Sequence, residues 1–240
     1  MSGEVSIWDY IRDPNNSFHD NVLQYIQMCG TAIVLAILIS LPLAVLVARR
    51  PLLAFIANNS SGLLRSIPSI AILAVALPVL GIGFKPAVLA LTVVGIPPIL
   101  LNAIAGLQGI DPAVIDAAKG MGMNRLQILL RIEFPLALPV VIAGLRTSAV
   151  QVIATGTLSF IIGVPGLGYY ISVGLFGGIN SDTALQVGAF SVGALALVTE
   201  LILAFTQQIV TPKGVRVHAS DGLSIKEPNT SDAALVAKSV

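Results

Sequence analysis

Reactive side chains are scarce in this sequence, and they form none of the patterns on which catalysis depends. The chain of 240 residues contains two histidines, His19 and His218, and a single cysteine, Cys29, which lies inside an apolar run. No GxxxxGK[ST] phosphate loop, HExxH zinc pair or GxSxG nucleophile elbow occurs. We therefore expect no enzyme activity, no metal site and no cofactor bound by this chain itself.

The polar residues with informative spacing lie between two long apolar runs, in the segment 110–135. Asp111 followed by Pro112 predicts a helix start, because a carboxylate caps the first turn and proline suits the first helical position. The residues that follow are mostly good helix formers, and their apolar members fall on one helical face. These apolar residues are Val114, Ala118 and Met121.

The second half of this segment predicts a turn and another helix. Gly120 and Gly122 can supply a positive-φ turn, and Asn124 can cap a short helix after it. Pro135 fits the entry to the next apolar run. The apolar residues of the second helix lie on one side: Leu126, Leu129 and Leu130. The resulting hairpin either lies on a lipid surface or docks into a groove of a soluble partner.

The composition places this hairpin in a membrane protein. The chain is 55% hydrophobic and only 10% charged, whereas soluble domains contain about 25% charged residues. Its apolar blocks reach the length of about 20 residues that a spanning helix needs, and they are too long for barrel strands. We predict an all-α membrane protein with five transmembrane helices. The predicted spans are 22–48, 62–80 (with a start as early as 52), 86–107, 136–162 and 184–210.

The basic residues predict the orientation. With five spans, only Arg12 and Lys85 fall on one side of the membrane. The nine on the other side are Arg49, Arg50, Lys119, Arg125, Arg131, Lys213, Arg216, Lys226 and Lys238. Because the basic side faces the cytoplasm, we expect an external N-terminus and a cytoplasmic C-terminus. The predicted organisation is an extracytoplasmic segment 1–21, a membrane domain 22–210 with a cytoplasmic loop 109–135, and a flexible cytoplasmic tail 211–240.

The hairpin resembles the EAA signature of bacterial ABC importer permeases. That signature reads Glu-Ala-Ala, three residues, Gly, nine residues, Ile-x-Leu-Pro. The residues that match it in spacing are Asp116, Ala117, Ala118, Gly122, Ile132, Glu133, Phe134 and Pro135. Asp116 replaces the glutamate and Phe134 replaces the leucine, and both substitutions keep the chemical character of the position. The resemblance favours docking to a protein over simple contact with lipid.

The resemblance implies a type I ABC importer permease-like fold in which the hairpin carries the coupling helix. Asp116 and its neighbours would then contact a separate cytoplasmic subunit that binds and hydrolyses ATP. Gly122 would make the turn that returns the chain to the membrane. Further implied partners are a second permease copy or paralogue, an extracytoplasmic solute-binding protein and the lipid bilayer, with no nucleic acid. The implied location is the bacterial plasma membrane, crossed several times.

Shorter motifs resemble the osmoprotectant branch of these permeases. They lie at 64–69, 81–86, 143–147 and 166–168. The resemblance implies a cargo such as glycine betaine, choline, carnitine or proline betaine. One alternative within the class is an amino acid such as methionine, because related amino-acid permeases share several of these motifs. A secondary transporter or a channel is the alternative from a different class.

Six residues within the predicted spans are candidates for the translocation path. They are Pro97, Pro98, Arg146, Gln151, Thr155 and Ser159. The proline pair either kinks the third span or breaks it beside the path. Arginine at the bilayer centre costs about 2.5–3.5 kcal/mol on insertion scales, so Arg146 should snorkel, pair or line a polar path. Glu200 in the last span could pair with it. The remaining three form a polar stripe that either packs between helices or lines the path.

Overall fold

The structure is a computed structural model that describes residues 6–177 and 181–211, and within these ranges the chain forms helices without strands. The predicted tail beyond residue 211 lies outside the described residues. The α-helices are α1 (Ile7–Arg12), α2 (Phe18–Val47), α3 (Pro51–Ser66), α4 (Ser69–Leu80), α5 (Phe84–Gln108), α6 (Pro112–Gly120), α7 (Arg125–Ile128), α8 (Phe134–Gly156), α9 (Leu167–Phe176) and α10 (Ser181–Val210). Pro14–Asn16 and Thr157–Ile162 form 3₁₀ turns, and Leu129–Glu133 forms a π-helical turn.

Four helical segments of the described chain are long and apolar enough to cross a membrane. They are Pro14–Val47, Phe84–Gln108, Arg125–Ile162 and Ser181–Val210. The helices α3 and α4 pass the same test only together, and they meet at an angle of 89°. The prediction of five spans therefore holds when this bent pair counts as one.

The second predicted span, 62–80 with a start as early as 52, is not one straight helix, because the chain turns at Pro68. A proline disfavours helical geometry in the residue before it, and Ile67 is extended with φ −76° and ψ 122°. Pro68 also lacks the N–H that would continue the helical hydrogen bonds. The second span is consequently two helices of 16 and 12 residues.

Helix α5 is the centre of the bundle and packs against α2 and α8. Glycines allow the close approach of α5 and α8. A Cβ atom built on Gly144 would lie 2.6 Å from Cβ of Asn102 and 2.7 Å from the Pro98 carbonyl oxygen. The carbonyl belongs to the backbone of α5, so it cannot rotate aside. The two helices can therefore keep this spacing only with glycine at position 144.

We predict that Gly144→Ala destabilises the detergent-solubilised protein by about 1–2 kcal/mol, because the added methyl group forces α5 and α8 apart. Thermal unfolding of the purified protein measures this as a lower Tm. Gly30→Ala in α2 is the matched control, since nothing lies within 4 Å of the Cβ position there. Equal Tm values for the two variants would contradict the close approach.

The N-terminal segment and α9 form a packed end of the bundle that the sequence did not predict. Tyr170 of α9 is fully buried; it accepts a hydrogen bond from Asn21 Nδ2 at 2.8 Å and donates one to the Asn16 carbonyl at 2.7 Å. The ring of Tyr10 in α1 packs edge-on against it, with centroids 6.2 Å apart. Helix α2 also begins at Phe18 rather than at residue 22. Residues 6–21 are thus packed against the bundle.

Candidate functional site

The first arm of the hairpin has the predicted start and turn. The Asp111 carboxylate caps α6 by accepting a hydrogen bond from the Ala113 N–H at 2.8 Å. At the other end, Gly122 has a φ of +79° and its N–H donates to the Lys119 carbonyl at 2.9 Å. The Met123 N–H donates to the Ala118 carbonyl at 3.2 Å, which completes a Schellman motif. Gly122 alone provides the positive-φ turn, and the same prediction for Gly120 is wrong.

The second arm is the beginning of a membrane helix. Asn124 and Gln127 form a capping box, in which each side chain accepts a 2.8 Å hydrogen bond from the other residue's backbone N–H. From Arg125 the helical path continues through the π turn into α8 and on to Ile162, over 38 residues. Pro135 lies in the first turn of α8, and because it has no N–H the chain there cannot keep a regular α-helical pattern. A continuous helical segment therefore connects the second arm of the hairpin to the bundle.

Most of the residues that match the signature lie at the surface of the hairpin. Asp116, Ala117, Phe134 and Pro135 are exposed, Ile132 is half-buried and Ala118 is buried. The Asp116 carboxylate accepts a 2.9 Å hydrogen bond from Lys119 one turn later, and both side chains face solvent. An exposed pair of this kind contributes about 0–1 kcal/mol, so Asp116 remains available to a partner.

Large apolar side chains accompany Asp116 on the hairpin surface. Met121 is 73% exposed and Leu126 is 62% exposed, and Val114 and Leu130 are exposed as well. The three apolar residues predicted to share one face of α6 do not all face the same way. Ala118 is buried, whereas Val114 and Met121 are exposed. Leu129 also faces inward, toward a cavity of about 230 Å³ beside Ile115. The outer surface of the hairpin thus presents large apolar side chains that no other described residue covers.

An ion pair at the base of the hairpin was not predicted. Glu133, in the π turn, is 3% exposed, and its carboxylate accepts a hydrogen bond from the Arg49 guanidinium just beyond α2. Arg49 is half-exposed and lines the same cavity as Ile115 and Lys119 of α6. This pair connects the end of α2 to the junction of the hairpin and α8. No local sequence rule relates the two residues, because 84 positions separate them.

A second ion pair lies among the membrane helices, between Arg146 of α8 and Glu200 of α10. Arg146 Nε donates to Glu200 Oε1 at 3.0 Å, and Nη2 donates to the same oxygen. Arg146 Nη1 donates to Gln207 Oε1 at 2.7 Å, and Gln207 Nε2 donates to the Pro139 carbonyl at 2.9 Å. The suggested Arg146–Glu200 pair is present in the structure, and Gln207 extends it in a way the sequence did not indicate.

We predict that Glu200→Leu lowers the Tm of the purified protein, because it leaves the Arg146 guanidinium without its anionic partner among the membrane helices. Adding Arg146→Leu to this variant should recover part of the loss, since the double variant has no unpaired charge. The thermal unfolding of the wild type, both single variants and the double variant forms a double-mutant cycle. Strictly additive losses would show that the pair contributes nothing beyond its separate side chains.

Three of the six predicted path residues line a cavity of about 210 Å³ where α3 and α4 meet, and two of them are Gln151 and Thr155 of α8. Pro97 lines it too, while Pro98 is buried elsewhere in α5. Ser159 does not reach this cavity. It is buried, and its hydroxyl has no partner among the described residues. The α-helix becomes a 3₁₀ helix at Thr157, so the spacing of four no longer keeps Ser159 on the face of Thr155.

The proline pair of α5 does not break the third span. The helix runs without interruption from Phe84 to Gln108, and both prolines are buried inside it. Serines of neighbouring helices satisfy carbonyl groups next to the pair. Ser148 Oγ donates to the Gly95 carbonyl at 2.9 Å, and Ser40 Oγ donates to the Ile96 carbonyl at 3.3 Å. Among the described residues, the broken span is the second, which bends at Pro68.

Comparison with known proteins identifies the family. Residues 18–214 match the family described as the inner membrane component of binding-protein-dependent transport systems. The chain belongs to this family. This permease is 37% identical over 201 residues to the carnitine transport permease protein OpuCB of Listeria monocytogenes, covering 83% of this chain and 90% of the relative. It is also 37% identical over 193 residues to the glycine betaine/carnitine/choline transport system permease protein OpuCB of Bacillus subtilis (strain 168), covering 80% and 88%.

Solved structures agree with this assignment. The permease matches a chain of the MetNI methionine ABC transporter in an inward-facing conformation, with a TM-score of 0.73 and 23% identity over 83% of this chain and 99% of the other. At that identity the likeness concerns the fold alone. It confirms the predicted all-α architecture of an ABC importer permease, a protein that crosses the inner membrane several times.

Proposed function

We propose that this permease forms the path by which a quaternary-ammonium osmoprotectant enters the cell: glycine betaine, choline, carnitine or proline betaine. The observation that supports this cargo is the 37% identity to relatives named for carnitine and for glycine betaine, carnitine and choline. The match extends over at least four-fifths of the chain. Energy comes from ATP that a separate subunit binds and hydrolyses, so this chain holds no cofactor of its own.

The hairpin is the element that couples the permease to the ATP-binding subunit. Its outer surface combines the exposed Asp116 carboxylate with unpartnered apolar side chains such as Met121 and Leu126, which suits insertion into a groove of a soluble protein. The Schellman turn at Gly122 fixes the two arms relative to each other. The second arm continues into α8, so a push on the hairpin tilts a membrane helix directly.

Each hairpin binds one ATP-binding subunit, and the remaining partners follow from this ratio. Two copies of this permease, or this permease and a paralogue, surround the path, and an extracytoplasmic binding protein delivers the cargo. The N-terminus lies outside and the C-terminus in the cytoplasm. The path runs along α8 at Gln151 and Thr155, beside Pro97 of α5.

Competitive uptake tests this proposal. The complete system is expressed in a strain without other osmolyte importers, and uptake of labelled glycine betaine, choline, carnitine and methionine is measured. We expect saturable uptake of one or more of the quaternary-ammonium compounds, which stops when ATP is depleted and the ion gradients are kept. Uptake of methionine alone would contradict the cargo, and uptake that persists without ATP would contradict the importer mechanism.

A further inference from the structure

The bend of the second span borders a polar cavity that α5 and α8 also line. The cavity of about 210 Å³ lies where α3 and α4 meet at 89°. Sites for drug-sized ligands measure about 300–1,000 Å³, so this one suits a smaller solute. Its polar lining comes from Arg65 and Ser69 on either side of the bend and from Gln151 and Thr155 of α8.

The cavity lies near the middle of the membrane. Pro97, which lines it, is halfway along α5, a helix that runs from Phe84 to Gln108. An arginine at this depth is unfavourable against hydrocarbon and is found instead facing a protein interior or a water-filled path. Arg65 is exposed in the single chain and also lines the cavity. The surface that carries Arg65 therefore faces the translocation path and the second permease subunit rather than lipid.

Arg65 has no counterion in the described part of the chain, unlike the two arginines whose ion pairs are described above. Arg146 is paired with Glu200, and Arg49 is paired with Glu133. Arg65 makes neither an ion pair nor a side-chain hydrogen bond with any residue in the described part of the chain. A cation in a polar intramembrane cavity without an anion nearby attracts an anionic group.

We infer that Arg65 binds the carboxylate of a zwitterionic cargo as it crosses the membrane, with Ser69, Gln151 and Thr155 around it. A guanidinium group donates two parallel hydrogen bonds to a carboxylate, which gives orientation as well as affinity. The first turn of α4 begins at Ser69 and adds its positive dipole end on the same side of the cavity. The inference rests on the proposed function, and it separates the candidate cargoes by whether they carry a carboxylate. Glycine betaine, carnitine and proline betaine carry a carboxylate, whereas choline has a hydroxyl group instead.

The test compares two cargoes in one complex. The permease, its ATP-binding subunit and its binding protein are reconstituted in proteoliposomes, and ATP-driven uptake of labelled glycine betaine and choline is measured at saturating concentrations. Arg65→Gln should reduce glycine betaine uptake on the order of tenfold or more, because a charge-assisted contact is lost. Choline uptake should change by less than about threefold, and Arg65→Lys should retain part of the glycine betaine uptake.

The control is Lys85→Gln, which removes one positive charge at the start of α5, away from the cavity. It should leave the ratio of the two uptake rates unchanged. Equal reduction of both cargoes by Arg65→Gln, in a complex that still co-purifies with its ATP-binding subunit, would overturn the inference and indicate a structural role. Unchanged uptake of glycine betaine would overturn it as well. A wild-type complex that carries neither cargo would instead contradict the proposed function, and with it the ligand assigned to Arg65.

Discussion

Replacing Gly122 with valine is expected to reduce ATP-driven uptake at least on the order of tenfold and to abolish co-purification of the ATP-binding subunit. Gly122 has a φ of +79°, a conformation that costs L-residues about 1–2 kcal/mol and β-branched residues more. With valine there, the Schellman turn between α6 and α7 opens and the two arms no longer present one surface. Uptake in proteoliposomes and co-purification in detergent measure the two effects.

The neighbouring glycine offers a closely matched control for this variant. Gly120 is the last residue of α6, has no positive φ, and has nothing within 4 Å of its Cβ position. Gly120→Val should therefore retain most of the uptake and the association. The bundle of both variants should melt like the wild type, because the hairpin lies at its surface. Equal loss of coupling in the two variants would show that the turn geometry at Gly122 is not what the partner needs.

Arg49→Gln is expected to destabilise the protein by about 2–4 kcal/mol, which is below the about 3–5 kcal/mol for a fully buried pair because Arg49 is half-exposed. The substitution leaves the buried Glu133 carboxylate without a counterion, and breaking a buried pair in this way is strongly destabilising. The reverse change, Glu133→Gln, should cost less, because a neutral amide tolerates burial and the half-exposed Arg49 can still be hydrated. Tm values of the two purified variants, compared with the wild type, measure this asymmetry.

Exchanging the two charges distinguishes the contribution of the ion pair to stability from the contributions of its individual side chains. The double variant Arg49→Glu with Glu133→Arg should be more stable than the sum of its single changes predicts, since opposite charges again face each other. Uptake should follow the same order, because the pair joins α2 to the base of the hairpin. If the losses of the single variants simply add in the double variant, the ion pair makes no contribution to holding these elements together.

The hairpin could be predicted from the sequence because local rules determine it. The Asp111 cap, the Gly122 turn and the Asn124 cap each depend on residues within one or two turns, and the structure confirms all three. The same holds for the number and length of the apolar segments, since each reflects the thickness of the bilayer. The orientation of the chain and the docking role of Asp116 stay predictions.

Features that depend on packing could not be predicted in the same way. The Arg49–Glu133 pair joins residues 84 positions apart, and nothing in either neighbourhood indicates the other. The Arg146–Glu200 pair was easier to predict, because charged side chains are rare and energetically costly in spanning helices and usually pair with one another. Ser159 does not share the face of the predicted polar stripe, because the α-helix becomes a 3₁₀ helix at Thr157. A prediction from spacing alone assumes one helix type throughout.

The π turn at Leu129–Glu133 sets the direction in which the hairpin faces. A π turn accommodates one residue more than an α turn, and one residue corresponds to about 100° of rotation around an α-helix. A chain one residue shorter here would present its hairpin toward a different side of the bundle, even with every contact residue retained. In the proposed coupling, the angle at which an ATP-binding subunit meets this permease would therefore depend on the number of residues between Ile128 and Phe134 as much as on their identity.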